Sequence, residues 1–124
     1  MRVPKRFVEG LVENDNDLGS TGFSISNNQS SPANITGFVF SNAAVRSFEA
    51  IVSIEIDADS DLFEEIQILG IQKGSDWDIS IQSTGDDTLI NLSITSSGQM
   101  QYTSANYAGF SSGEINFRAI TTEL

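Results

Sequence analysis

The sequence predicts an all-β domain: an antiparallel sandwich or jelly-roll-like arrangement of about eight short strands behind a non-regular N-terminal arm. Apolar and polar residues alternate with a period of two in one segment after another. Clusters of Gly, Asn, Asp and Ser interrupt these segments at short intervals, as turns require. No segment carries the three-and-four spacing of an amphipathic helix as cleanly as it carries alternation.

Residues 1–20 lack periodicity. The polar run from Glu13 to Asp17 lies between Gly10 and Gly19, so this stretch reads as an arm leading into a domain over 21–124. Phe23 and Ile25 alternate with Ser24 and Ser26, and a loop follows from Asn27 to Asn34. Ile35–Phe40 reads as a second strand, closed by a turn at Ser41 and Asn42. The strongest signal is Arg46–Ile56. Phe48, Ala50, Val52, Ile54 and Ile56 occupy the even positions after Arg46, while the odd positions are polar except for Ile51. One face of this long strand is therefore expected to be buried.

An aspartate-rich loop, Asp57 to Asp61, precedes a strand from Phe63 to Gln72. Ile66 and Ile68 share one face there, and Leu69 and Ile71 share the other. The glycine at the phase change, Gly70, suggests a bulge. Trp77, Ile79 and Ile81 alternate next, and Gly85-Asp86-Asp87 supplies the turn expected of a hairpin. Ile90, Leu92 and Ile94 form another strand. Ser96-Ser97-Gly98 turns into Met100 and Tyr102, Ser104 to Gly113 reads as a loop, and Ile115, Phe117 and Ala119 mark the last strand.

Composition removes several chemistries. The 124 residues suit one domain and include neither cysteine nor histidine. Disulfides, thiolate metal sites and the ordinary nucleophilic triads are thereby excluded. The formal charge is −11, from 6 basic and 17 acidic residues. Arg2, Lys5 and Arg6 hold half of the positive charge. The rest of the chain is acidic enough to repel phosphate backbones, so no nucleic-acid partner is expected. No apolar run approaches the roughly 20 residues of a membrane helix, so no membrane partner is expected either. The basic tip with Phe7 is the candidate assembly arm: Arg2, Lys5, Arg6 and Phe7.

Few residues invite a site. Lys73 is the only lysine outside the arm, and nothing flanking it suggests the burial a Ser–Lys pair requires. Glu64-Glu65 and Asp86-Asp87 are adjacent pairs, and strand neighbours point to opposite faces, so adjacency makes no hydrolytic dyad. Asp57, Asp59 and Asp61 match the first three ligands of a calcium loop. Leu62 and Ile68 stand where an EF-hand needs glycine and glutamate, so a solvated acidic loop is the preferred reading over a calcium site. Trp77, Tyr102 and Tyr107 would serve as a sugar platform if exposed. Trp77 is in phase with core positions, which leaves Tyr107, beside Phe110, as the better candidate for exposed contact, with packing of that loop at the core edge the preferred reading over a ligand site. No cofactor is expected.

The segment Gln99 to Phe110, closed by Gly113 to Ala119, has a distinctive spacing of tyrosine and glycine. With Asn27-Asn28-Gln29-Ser30, Val45 to Ala50 and Gly70 to Gly74, it resembles a β-rich module of tailed-bacteriophage virion proteins. That module recurs within tail-fibre proteins and as short stand-alone proteins. The resemblance covers roughly residues 21–121 and implies a non-enzymatic structural part of the virion. It further implies partners among other capsid or tail proteins, self-association into a homo-oligomer, and no catalytic residues. The arm lies outside the match, where the attachment point to the particle is expected. Capsid decoration and tail or fibre component are both compatible with it. The alternative is a host-surface module that binds glycan.

Overall fold

The computed structural model describes residues 15–124. Eight strands are present: β1 (Leu18–Ser24), β2 (Ala33–Val39), β3 (Val45–Asp57), β4 (Leu62–Gln72), β5 (Trp77–Gly85), β6 (Asn91–Ile94), β7 (Gln99–Thr103) and β8 (Ser112–Glu123). All pairings are antiparallel, and the described residues contain no helix. A five-stranded sheet of order β1-β8-β3-β4-β5 faces a three-stranded sheet of order β2-β7-β6, which makes a β-sandwich.

Strand β3 is the hub, paired along its length with β4 on one side and β8 on the other. Its alternation has the expected consequence: Phe48, Ala50, Val52, Ile54 and Ile56 are all buried. The phase fails at one end. Arg46 is exposed and Val45 is buried, because the β3–β8 register slips between Val45 and Ser47. The displaced Arg46 guanidinium donates from Nη1 to the Gln72 carbonyl at 2.9 Å.

The bulge expected at Gly70 is absent. The β3–β4 and β4–β5 registers run unbroken past it. Gly70 faces inward in phase with Ile66 and Ile68. A Cβ there would stand 2.2 Å from Cε2 of Phe48, so the position is kept empty for that ring. Leu69 and Ile71 consequently point outward and are exposed. Gln72 ends the inward series. Its amide is buried and donates to the carbonyls of Asn42 (2.9 Å) and Val45 (2.7 Å).

Rings from both sheets fill the interior. Phe38 stacks on Phe117 with centroids 4.3 Å apart, and Phe40 stacks on Phe48 at 4.0 Å. Trp77 tilts against Phe40 and Phe48, while Phe23 meets Tyr102 edge-on. Each such pair adds about 0.5–1.5 kcal/mol beyond its area burial. The first strand begins at Leu18 rather than near Thr21, secured by Asp17, whose Oδ1 accepts from the backbone N–H and the hydroxyl of Thr121, each at 2.7 Å.

The Gly85-Asp86-Asp87 segment does not close a hairpin. β5 and β6 belong to different sheets, so residues 86–90 carry the chain across the sandwich. Thr88 and Ile90 plug that crossing and are buried. Leu89, between them, has φ of 62° and a half-exposed side chain.

Candidate functional site

Three of the four paired carboxylates singled out from the sequence accept hydrogen bonds from backbone N–H groups. Glu64 Oε1 accepts from the Thr88 hydroxyl at 2.5 Å and from the Thr88 N–H at 3.3 Å. Asp86 Oδ2 accepts from the Phe63 N–H, and Asp87 Oδ1 from the Leu89 N–H, each at 3.0 Å. These three acids hold the crossing in place. Glu65 lies on the opposite face of β4 from Glu64, as strand alternation demands.

The aspartate loop is likewise fastened. Asp61 Oδ1 accepts from the Ala58 N–H at 3.4 Å, the Asp59 N–H donates to the Ala108 carbonyl at 3.0 Å, and the Ser111 N–H donates to the Asp57 carbonyl at 2.8 Å. Gly109, with φ of 69°, lets the Asp59 carboxylate approach so closely that a Cβ would stand 1.9 Å from its Oδ1. Among the described residues no group of three or more acids is placed to hold a metal ion.

Lys73 lies at the β4–β5 turn and donates from Nζ to Asp78 Oδ2 at 3.0 Å, with both side chains exposed. The hydrogen bond and charge of Asp78 raise its pKa, which keeps the amine protonated and is the reverse of what a catalytic base needs.

The aromatic residues form no platform. Trp77 and Tyr102 are buried, their polar atoms satisfied by Asn42 Oδ1 and by the Ser26 N–H. Tyr107, the better candidate for exposed contact, is 9% exposed, in line with the preferred expectation that its loop packs at the core edge. Its hydroxyl donates to the Thr88 carbonyl at 2.5 Å and its ring stacks loosely on Phe110. Burial raises the phenol pKa, and the charges of Asp87 and Glu64 add to the effect. A raised native pKa means that stability is complete below the ordinary tyrosine value of about 10 and falls as pH rises through the native one. Thermal melts are therefore expected to show a loss of stability above about pH 10. That component disappears in Tyr107→Phe. An identical alkaline profile for the variant would remove Tyr107 as its source. The candidate arm residues Arg2, Lys5, Arg6 and Phe7 lie outside the described residues.

What remains open to a partner is surface, and the least protected part of it is β5. Among the described residues, three of the four sheet edges are guarded. The β1–β8 register slips between Leu18 and Thr21, the β2–β7 register slips between Asn34 and Val39, and β6 is four residues long. Such slips and short strands are how natural edges avoid further pairing. β5 has neither. Its nine residues lie in continuous register with β4 and contain no proline. Asp78 is its only charged residue.

The hydrogen-bonding direction of β5 follows from its two ends. The Lys73 N–H donates to the Asp76 carbonyl and the Asp86 N–H donates to the Phe63 carbonyl, so Lys73/Asp76 and Phe63/Asp86 are bonded pairs. Antiparallel alternation between them turns the even residues of β5 toward β4 and the odd ones, Ile79, Ile81 and Ser83, toward the open edge. Ile81 lies opposite buried Ile68 and therefore on the inner face, yet it is 47% exposed. The three-stranded sheet does not extend over it. Sequence alternation could not reveal this, because it reports which face a residue takes and not how wide the opposing sheet is. A second apolar patch lies on the outer face, where Leu69, Ile71, Ile51 and Ile120 surround Glu49.

No protein-family model matches the chain, and no curated protein does. Among solved structures, the tailspike protein of Acinetobacter phage vB_ApiP_P1 is similar at 18% identity and a TM-score of 0.44, over 87% of this chain. The chain spans 20% of that tailspike's length.

Proposed function

We propose that this chain is a non-enzymatic structural protein of a tailed-phage particle, a capsid decoration or a tail or fibre component. In this reading it assembles through its N-terminal arm and its β-domain. The residues that resemble the virion module support it: Tyr102, Tyr107, Ile115 and Phe117 are core residues, so the shared string describes a scaffold and not a cleft. The observation that carries the reading furthest is the unguarded β5 edge, since a surface of that kind acts by joining strands. The buried positions of Trp77, Tyr102 and Tyr107 leave the glycan-binding alternative without its aromatic residues.

The test is made on purified particles of the phage that encodes the chain. Mass spectrometry is expected to find the protein at a fixed copy number per particle, and antibody labelling is expected to mark one part of the particle. A protein confined to the infected-cell lysate and absent from washed particles overturns the proposal.

A further inference from the structure

We infer that two copies of this chain join through their β5 strands, antiparallel about a two-fold axis at Ile81, into one sheet continuous across both protomers. The choice of a second copy as partner rests on the self-association in the reading above. The place and register of the contact rest on the strand itself.

Ile81 is the midpoint of Trp77–Gly85. Pairing about it sets Ile81 against its own symmetry mate, Ile79 against Ser83, and Trp77 against Gly85. These are the residues whose main-chain groups face the open edge, so Ile79, Ile81 and Ser83 gain reciprocal partners. The Trp77 N–H is already taken by Asp76 Oδ1 at 2.9 Å, which limits the new ladder to the strand's centre. Like faces also meet: odd residues oppose odd ones, so the inner face of one sheet continues into that of the other. A two-fold axis placed between residues would set inner against outer positions and break the pleat.

Overlap selects among the remaining registers. The Ile81 axis pairs the whole of Trp77–Gly85 with its mate, with Asp78 opposite Thr84, while Asp76 and Asp86 come opposite each other only beyond the strand ends. An axis at Ser80 or Gln82 shortens that overlap. The Asp78 carboxylate is in addition offset by Lys73. Beyond Asp78 the strand is uncharged, so on a chain of charge −11 its centre can meet a second copy with little local repulsion. The contact also covers the apolar surface that the smaller sheet leaves bare: Ile81 meets its mate, flanked by Ile79 from each copy.

The chain has no cysteine, so one introduced thiol is unambiguous. Opposed residues of a bonded antiparallel pair have Cα atoms about 5.5 Å apart, within reach of a disulfide. Under mild oxidation the full-length Ile81→Cys protein is expected to form a covalent dimer. Thr21→Cys, exposed on the β1 edge, is expected to remain a single chain. Sedimentation velocity is expected to show a wild-type dimer that tightens as salt rises, because screening weakens the repulsion between two acidic bodies. Ile81→Lys sets two ammonium groups against each other and is expected to sediment as a monomer that melts cooperatively at the temperature of wild type diluted below its dimerisation range. A wild-type chain that remains monomeric at several hundred micromolar overturns the inference. So does cross-linking at Thr21 in preference to Ile81, or an Ile81→Lys variant that still dimerises. These outcomes are separable from the particle test: cross-linking at Ile81 does not depend on the protein being found in particles, and a monomer in solution does not bear on whether the particles contain it.

Discussion

Gly70→Ala is expected to destabilise the sandwich by roughly 1–3 kcal/mol, the ordinary cost of forcing extra volume into a packed core. The added methyl group would lie 2.2 Å from Cε2 and 2.5 Å from Cζ of Phe48. An overlap of this kind is harmless when the neighbour can swing away. Phe48 cannot, because its ring is stacked 4.0 Å from Phe40, lies against Trp77 at 5.9 Å, and is 3% exposed. Urea unfolding of a double-mutant cycle measures the effect. Phe48→Leu alone costs stability through lost contact, but in the Gly70→Ala background it removes the ring that clashes. The double variant is therefore expected to be more stable than the sum of the single effects predicts. Strict additivity, or a wild-type midpoint for Gly70→Ala, would show that the ring is not confined.

The same glycine shows where sequence reasoning stops. Alternation placed Ile66 and Ile68 on one face and Leu69 and Ile71 on the other, and a glycine between them looked like a bulge. The actual cause lies on the neighbouring strand, in the Phe48 ring across the pair, and no local pattern records which residues face each other. Leu69 and Ile71 then broke the assumption that apolar residues mark the inner face, because this sheet carries an apolar patch on its outer side. Arg46 failed for a related reason: a register slip at Val45 reverses a phase that the sequence continues without a mark. Where one strand is long and one face uniformly apolar, as in β3 from Phe48 to Ile56, the burial was fully legible.

The candidate residues divide in the same way. The failure of Glu64-Glu65 as a dyad followed from strand geometry alone, and Asp86-Asp87 already read as turn residues. Their use as anchors for Thr88, Phe63 and Leu89 did not follow, because it depends on the crossing between sheets, and Gly85-Asp86-Asp87 resembles a hairpin turn in any one-dimensional reading. Tyr107 sits in a polar, glycine-spaced loop whose packing at the core edge is the preferred reading; only the fold shows that it closes over residues 86–90. The β5 edge left no sequence signal, since Ile79 and Ile81 alternate like any core strand. The exposure of Ile81 follows from five strands facing three.

Phe117→Ala is expected to cost about 3–5 kcal/mol, which approaches the whole stability of a weakly stable domain. Phe117 lies on β8, paired to β1 through Thr21 and to β3 through Val52, and its ring is stacked face to face on Phe38 with planes 4° apart. It is 2% exposed, and Gly37 closes over its outer end, so truncation leaves a void that neither sheet can collapse to fill. Denaturant and thermal unfolding are expected to show an early, cooperative transition for this variant, and a loss below 1 kcal/mol would mean that the two sheets are not held through this ring pair. Comparison with Ile81→Lys separates folding from assembly. Phe117→Ala weakens the sandwich itself, and any loss of dimer follows from unfolding, so it is reversed by cooling or by a stabilising solute. Ile81→Lys is expected to leave both sheets intact and to remove only the proposed shared edge, so its monomer should persist under the same conditions. That contrast, if observed, would place the stability of this protein between its two sheets and its association at the strand that the smaller sheet leaves uncovered.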